Sequence, residues 1–281
     1  MGSNVGVIGS ARVQRIANAG QIAFAVVMIG IGILGLVRGR FTPTWAGVPP
    51  KFPARDALVY LTALISLAAG IGLLVPRAAA NTSRALLGAF TAWMLVFKMP
   101  AVFSTPADSG AWWAVGDTAV MMGAAWVLYV WFAGEHDRFG AGPGGLRIAR
   151  ALYGIGLIPF GVAHFTFLDH TVSMVPGWLP WHLMWADFFG ITFIAAGVAA
   201  VTGVWARLAV ALSAVQLGLF TLLVWGPVVV SGRATASDWA ETVSSVVLTV
   251  AAWVVAESYG RAFSVRASSS QGTGTASAAR A

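Results

Sequence analysis

Residues 111–133 read AWWAVGDTAVMMGAAWVLYVWFA and carry one charged side chain, Asp117. An α-helix rises about 1.5 Å per residue, so this stretch is about 34 Å long and can cross a hydrocarbon core of about 30 Å. Seven other runs are comparably apolar and are bounded by charges, proline or glycine. The eight predicted spans are residues 20–37, 57–76, 85–103, 111–133, 149–168, 184–204, 207–230 and 239–257.

The composition excludes an ordinary water-soluble domain. Of the 281 residues, 58% are hydrophobic and 10% are charged, whereas soluble proteins carry roughly a quarter charged residues. Lipid offers no partner for backbone amides, and the runs lack the alternation of barrel strands, so each span is predicted to be a helix. The predicted fold class is an all-α membrane protein with eight transmembrane helices.

Charge and cysteine content restrict the partners. The net charge is +7, but the basic residues are dispersed between apolar spans, so no nucleic-acid partner is expected. The chain has no cysteine, which excludes a thiolate nucleophile or an iron–sulfur cluster built from this chain alone. Any redox chemistry would have to come from a bound molecule or a partner protein, and the expected lipophilic partner is membrane lipid.

The longest polar interval divides the eight spans four and four. The predicted organisation is a polar N-terminal segment (1–19), a first four-helix unit (20–133), a cytoplasmic linker (134–148), a second four-helix unit (149–257) and a disordered tail (258–281).

The two units share a sequence pattern. At an offset of 127 residues Trp112 matches Trp239, and Trp126 matches Trp253; upstream, an offset of 131 aligns Asp56 with Asp187, which requires one four-residue gap. Because four spans return the chain to its starting side, the repeats are predicted to be parallel, with a candidate cavity between two bundles. The alternative is a fused pair of subunits without a cavity.

The distribution of Lys and Arg predicts the orientation in the membrane. With a cytoplasmic N-terminus, 11 of the 17 basic residues fall in inner segments, although the first outer connection carries four. Since cytoplasmic connections are richer in Lys and Arg, both termini are predicted to be cytoplasmic, in a multi-pass protein of the plasma membrane.

The second unit contains an ordered set of motifs. Gly161-Val-Ala-His164-Phe165 is followed by Val175-Pro176-Gly177-Trp178-Leu179-Pro180 and by a span that contains Ala195-Ala196-Gly197. This order resembles the DoxX-like family of four-helix membrane proteins, well over residues 150–257 and loosely over 20–133. The chain departs from many relatives in having Phe193 and Ile194, where they carry a glutamate.

The resemblance implies a compact four-helix bundle for each copy. In some relatives it also implies association with quinone-linked or thiol-linked oxidation at the membrane. Quinone is therefore the cofactor that the resemblance allows, and a redox partner protein is the partner that it allows. The residues themselves indicate no cofactor.

Four residues are candidates for acid–base chemistry: His164, Asp187, Asp56 and Asp117. Asp56 and Asp187 lie near the starts of predicted helices, where a carboxylate either caps backbone amides or serves as an outward-facing acid. His164 and His170 are six residues apart, which would place them on different faces of one helix, so no metal site is assigned.

Lys98 and Asp117 form the sharpest predicted pair. They lie ten residues before and nine residues after Asp108, so in an antiparallel hairpin they reach nearly the same depth. An unpaired charge in hydrocarbon costs several kcal/mol, which predicts a mutual ion pair facing the bundle interior. Their counterparts at the offset of 127, Trp225 and Ser244, are both uncharged. The pair either locks the hairpin or forms a proton-linked or headgroup-binding site.

Three functions remain open from the sequence. The first is an accessory or structural subunit of a membrane redox or envelope complex that binds a lipid, a quinone or a partner protein. The second is a membrane enzyme that acts on a lipophilic substrate through the four candidate acid–base residues. The third is a small-solute or proton-coupled carrier with Lys98 and Asp117 at its site.

Overall fold

The computed structural model describes residues 19–133 and 140–261, apart from the side chain of Arg261. Residues 1–18 of the predicted polar segment, residues 134–139 of the predicted linker and residues 262–281 of the predicted tail lie outside the described residues. The tail was predicted to begin at residue 258, but residues 258–261 are the end of the last helix, where Ser258 is buried and accepts a hydrogen bond from Arg150.

The described residues form eleven α-helices and no strand. The helices are α1 (Ala19–Arg38), α2 (Arg55–Leu74), α3 (Ala79–Trp93), α4 (Met99–Ser104), α5 (Ser109–Ala133), α6 (Gly142–Thr166), α7 (Leu168–Met174), α8 (His182–Thr202), α9 (Ala206–Phe220), α10 (Gly226–Val230) and α11 (Ala236–Arg261). The prediction of an all-helical fold is confirmed.

Eight helical stretches of the described chain are long and apolar enough to cross a membrane. Six are the single helices α1, α2, α5, α6, α8 and α11. The other two are α3 joined to α4 and α9 joined to α10, each through a five-residue π-helical segment, Met94–Lys98 and Thr221–Trp225. The eight predicted spans are therefore confirmed, as expected of a multi-pass membrane protein.

The two π-helical segments have a local cause in the sequence. Pro100 and Pro227 follow them by two residues. A proline has no N–H to donate to the carbonyl one turn earlier, and its ring crowds that carbonyl. The helix widens just before each proline, and both spans continue as a short helix.

The helix that opens the second half begins earlier than predicted. The sequence assigns residues up to 148 to a linker, but α6 starts at Gly142. Pro143 lies in the first turn, where its missing N–H has no helical partner to lose, and Gly142 has a positive φ of 76°. The chain therefore turns into the helix at this Gly-Pro pair, and the last seven residues of the predicted linker are helical.

The two halves have the same order of helix packing. In the first half α1 packs on α2, α2 on α3, and α3 on α5; in the second, α6 packs on α8, α8 on α9, and α9 on α11. Between the halves α5 packs on α6 and α1 packs on α11, while α5 and α11 contact each other at the centre. The helix contacts just named in one half thus each have a counterpart in the other, whereas the contacts of α7 with α6 and α8 have none in the first half.

Equivalent helices begin 127 residues apart. The starting residues are Arg55 and His182 for α2 and α8, Ala79 and Ala206 for α3 and α9, and Ser109 and Ala236 for α5 and α11. The residues preceding α2 and α8, Ala54 and Trp181, share a left-handed conformation with φ of 56° and 57°. In this register the residue equivalent to Asp56 is Leu183, whereas the offset of 131 predicted from the sequence makes it Asp187.

Close glycine contacts fix the register of α1 and α6. A methyl group added to Gly32 would lie 2.6 Å from the backbone nitrogen of Leu67, and one added to Gly161 would lie 3.0 Å from that of Ile194. Gly32 and Gly161 are 129 residues apart, while Leu67 and Ile194 are 127 apart. The predicted upstream offset of 131 is therefore corrected to 129, with a two-residue gap instead of four.

Candidate functional site

A pocket lies in the second half, at the end of the bundle where α6 gives way to α7. Helices α6, α7, α8 and α11, the α9–π–α10 span and one residue of α5 supply its walls. Its lining residues are Trp113, Phe160, Ala163, His164, Phe167, His170, Thr171, Met174, Phe193, Leu217, Phe220, Trp225, Glu241, Ser244, Ser245 and Leu248.

The break between α6 and α7 shapes the pocket. Phe167 has φ −112° and ψ 42°, outside the helical region, so α6 ends and the chain turns into α7. His164 therefore lies on α6 and His170 on α7, and both line the pocket. The expectation that they occupy different faces of one helix is wrong, because the helix does not continue between them.

Aromatic rings form much of the wall. The ring centroids of Trp113 and Phe160 are 5.8 Å apart, and those of Phe160 and Phe193 are 6.2 Å apart. The ring of His164 lies 5.5 Å from that of Phe193. Rings at these separations and tilts attract one another weakly. These contacts stabilise the aromatic wall of the pocket.

Polar groups interrupt the apolar wall at defined points. The Nδ1 atom of His164 lies 2.8 Å from the carbonyl oxygen of Phe160. A carbonyl can only accept, so Nδ1 carries the proton, and Nε2 of the neutral imidazole is left as an acceptor. The Glu241 carboxylate interacts electrostatically with His170. Together these groups offer hydrogen-bond acceptors to a ligand.

Lys98 and Asp117 do not line this pocket, but Asp117 is connected to it through a lining residue. Lys98 is only 3% exposed, Asp117 is half-buried, and the two charges interact. Asp117 also interacts with Glu241 at the edge of the pocket. The charged groups thus form a series from the first half to the pocket of the second; a direct ion pair between Lys98 and Asp117 stays a prediction.

The uncharged counterparts of this pair line the pocket. Trp225 and Ser244, which lie 127 residues after Lys98 and Asp117, are both lining residues. The first half therefore buries two interacting charges at the positions where the second half has a cavity. This difference separates the two halves chemically although their helices are arranged alike.

The other predicted acids lie elsewhere. Asp56 is exposed in the first turn of α2. Asp187 lies in an open groove on the outer face of α8 together with Trp181 and Leu183. Neither lines the pocket. The structure thus brings His164 to the pocket, connects Asp117 to it through Glu241, and does not bring Asp56 and Asp187 together.

The pocket is not the cavity predicted between two bundles. Only Trp113 of α5 reaches it from the first half. Along the contact of α5 with α6 the backbones approach closely, because a methyl group on Gly116 would lie 2.6 Å from the carbonyl oxygen of Gly156. Small residues permit such an approach, so α5 and α6 pack directly on each other at this point.

Glu241 was missed by the sequence reasoning. It lies within the predicted span 239–257, three residues before Ser244 and therefore on the same face of the helix. An acidic residue inside an apolar span is by default a candidate functional residue. Applying that rule to α11, as it was applied to Asp117, would have identified it.

Within residues 19–133 and 140–261, no group of three or more His, Cys, Asp or Glu side chains is placed to hold a metal ion. Comparison of the chain with protein families, with curated proteins and with solved structures finds no significant match.

Proposed function

We propose that the chain consists of two parallel four-helix repeats related by an axis along the membrane normal. The common offset of 127 residues between equivalent helix starts supports this arrangement, as do the paired π-helical segments and the matched packing order. In this arrangement the protein is a multi-pass protein of the plasma membrane with both termini in the cytoplasm, and its repeats belong to the DoxX-like type.

We further propose that the second repeat binds a lipophilic small molecule and that the protein serves as an accessory subunit of a membrane redox or envelope complex. The observation that carries this proposal is the pocket, whose walls are mostly aromatic and aliphatic and which contains His164, Glu241 and Ser244. Ligand sites in proteins typically combine such apolar walls with a few convergent polar groups.

The DoxX-like resemblance makes a quinone one candidate ligand, and a redox protein one candidate partner. A lipid headgroup is the other candidate for the acceptor groups at the edge of the pocket. The chain itself has no cysteine, so electrons would be carried by the bound molecule. The repeat would supply the binding surface and the position of the site within the membrane.

The test is to purify the full chain from membranes in a mild detergent and to identify co-purifying lipophilic molecules by mass spectrometry. Ser244→Phe should place a ring in the pocket and deplete the bound molecule. Leu212→Phe on α9 is the matched control, because Leu212 is exposed on the outside of the helices and does not line the pocket. A profile that is the same in all three proteins would reject the proposal.

A membrane enzyme acting on a lipophilic substrate is the second candidate function. It is favoured by one observation: His164, with an acceptor nitrogen, and Glu241 line the same pocket. Two such groups in one pocket could act as general acid and general base on the same substrate. If the molecule that co-purifies is converted by the wild-type protein, and conversion is lost in His164→Gln while binding remains, the enzyme is the better description.

The carrier alternative would use the charge series that includes Lys98 and Asp117.

A further inference from the structure

The indole ring of Trp45 is buried inside the bundle of the first half. Trp45, in the connection between α1 and α2, is 1% exposed. Its Nε1 donates a 2.8 Å hydrogen bond to the hydroxyl oxygen of Ser66. Its ring stacks on Phe90 at 4.9 Å and meets Trp93 edge-on at 5.2 Å. Three neighbours on α2 and α3 thus define the site of the Trp45 ring.

The surrounding connection is built into the bundle. Trp45 ends a short 3₁₀ turn, Pro43–Trp45, and the next residue, Ala46, accepts a 3.2 Å hydrogen bond from Nε1 of Trp93. Beyond it, a Cβ on Gly47 would contact the Lys98 side chain at 3.6 Å. The connection therefore closes over this end of the first bundle with Trp45 pointing inward.

The three neighbours of Trp45 have counterparts in the second half, each 127 residues later. Ser66 corresponds to Phe193, Phe90 to Leu217, and Trp93 to Phe220; all three counterparts line the pocket. The pocket is therefore the position in the second bundle that corresponds to the position of the Trp45 ring in the first.

In the second half, no tryptophan from the connection between α6 and α8 occupies this position. Its α6–α8 connection forms α7, which supplies the pocket wall with His170, Thr171 and Met174. The two tryptophans of that connection, Trp178 and Trp181, are 70% and 72% exposed. Neither of them fills the position that corresponds to that of Trp45, and a pocket lies there instead.

We propose that this pocket binds a planar aromatic ring that carries an N–H or O–H donor, of the indole or phenol class, as part of a lipophilic molecule. This inference rests on the proposed function and names its ligand class. Trp45 shows that such a ring is accommodated by this arrangement of helices. In the second half the counterpart of Ser66 is Phe193, which has no acceptor, and the lining residues that offer acceptors are His164, through Nε2, and Glu241.

A saturated acyl chain fits these groups less well. Aromatic rings of the wall gain from edge or offset contacts with another ring beyond the burial of apolar area. A chain without a donor would also displace water from acceptor groups without replacing its hydrogen bonds, which is unfavourable. Both effects act in the same direction, towards a ring with a donor.

The experiment uses fluorinated probes and the full chain in detergent, observed by ¹⁹F NMR. The probes are 5-fluoroindole, 4-fluorotoluene, which is planar but has no donor, and fluorocyclohexane, which is neither. We expect saturable binding of 5-fluoroindole, with 4-fluorotoluene bound about tenfold more weakly because one hydrogen bond is missing. Fluorocyclohexane should bind most weakly of the three.

Variants locate the binding. Ser244→Phe should abolish saturable binding of 5-fluoroindole, and Leu212→Phe should leave it unchanged. Trp45→Ala should empty the corresponding site in the first bundle and raise the amount of 5-fluoroindole bound per chain. The comparison of the three probes on the unmodified protein needs no variant, so a variant that fails to fold does not remove the test.

The outcomes separate this inference from the proposed function. Equal binding of 5-fluoroindole and fluorocyclohexane, together with a co-purifying lipophilic molecule, would overturn the ring-specific inference and leave the lipophile-binding function in place. Absence of saturable binding for every probe and of any co-purifying molecule would overturn both. Binding that persists in Ser244→Phe would place the ring elsewhere and also reject the inference.

Discussion

The indole nitrogen of Trp45 lies 2.8 Å from the hydroxyl oxygen of Ser66, and this bond fastens the α1–α2 connection to the interior of the first bundle. The Ser66 hydroxyl in turn donates to the carbonyl oxygen of Thr62 at 2.9 Å. Both polar side chains are buried and satisfied, so the connection is held by hydrogen bonds as well as by ring contacts.

Trp45→Ala should destabilise the protein by about 3–5 kcal/mol, because a large buried side chain is replaced by a cavity. Ser66→Ala should cost about 1–3 kcal/mol, since it leaves the indole N–H without an acceptor. Unfolding in a denaturing detergent titration measures both. Trp205→Ala is the control, because Trp205 is 77% exposed; equal losses for Trp45→Ala and Trp205→Ala would contradict the assigned role.

The sequence predicts the helical architecture well, but it does not predict the role of Trp45. Apolar length alone is sufficient to locate spans, because any run of about 20 such residues must pair its backbone internally in lipid. Whether a tryptophan in a connection lies at the interface or enters the bundle depends on contacts with Ser66 and Phe90, which are remote in sequence. The sequence alone therefore does not distinguish an interfacial tryptophan from a buried one.

The candidate site is only partly predictable for the same reason. Asp117 is a candidate because an ionisable group in an apolar span is unusual, and it interacts with Glu241 of the pocket wall. His164, a candidate from the Gly161–Phe165 motif, lines the pocket itself. Asp56 and Asp187 were selected by an offset drawn through a connection whose length differs between the halves. At Asp56 that offset is wrong by four residues, which is about one helical turn, and only packing contacts such as those of Gly32 could fix the register.

Glycine substitutions test the matched packing of the two halves. Gly32→Ala and Gly161→Ala should both be destabilising, because each added methyl would lie within 3.0 Å of backbone atoms of the partner helix. Gly30→Ala on the same helix as Gly32 meets nothing within 4 Å. It should be neutral or stabilise by up to about 1 kcal/mol through helix propensity.

Thermal unfolding in detergent measures the three glycine variants under one condition. The repeat arrangement predicts losses of similar size for the two contact positions, one in each half. A large loss for Gly32→Ala with none for Gly161→Ala would indicate that the α1–α2 and α6–α8 contacts are not equivalent.

The charges of Lys98 and Asp117 are predicted to stabilise each other. Lys98→Met and Asp117→Leu should each reduce the yield of folded protein, because each leaves the other charge without its neighbour in an apolar surrounding. The double variant should be milder than either single variant. Expression with size-exclusion chromatography and unfolding measures all three, and additive losses would reject the pairing.

Asp117 also interacts with Glu241, so the comparison of single and double variants needs a further variant at Glu241. Glu241→Gln removes a like charge near Asp117 and keeps the shape of the side chain. If Lys98 is the main partner of Asp117, Glu241→Gln should not rescue the Lys98→Met variant to the wild-type level. Full rescue would show that repulsion between the two carboxylates, and not loss of the lysine, causes the defect.

The orientation can be tested directly because the chain has no cysteine, and a single introduced thiol is therefore the only reactive one. Ala107→Cys lies between α4 and α5, on the side predicted to face outward, and Asn81→Cys lies in the first turn of α3, on the predicted cytoplasmic side. Both positions are exposed. A membrane-impermeant maleimide should label Ala107→Cys in intact cells and Asn81→Cys only after lysis; the reverse pattern would invert the topology.

The same labelling result also places the pocket. The connection that forms α7 follows an odd number of spans, as does Ala107, so both lie on the same side of the membrane. Labelling of Ala107→Cys in intact cells would therefore place the pocket end of the bundle on the outer face, where a lipophilic ligand would enter from the outer leaflet.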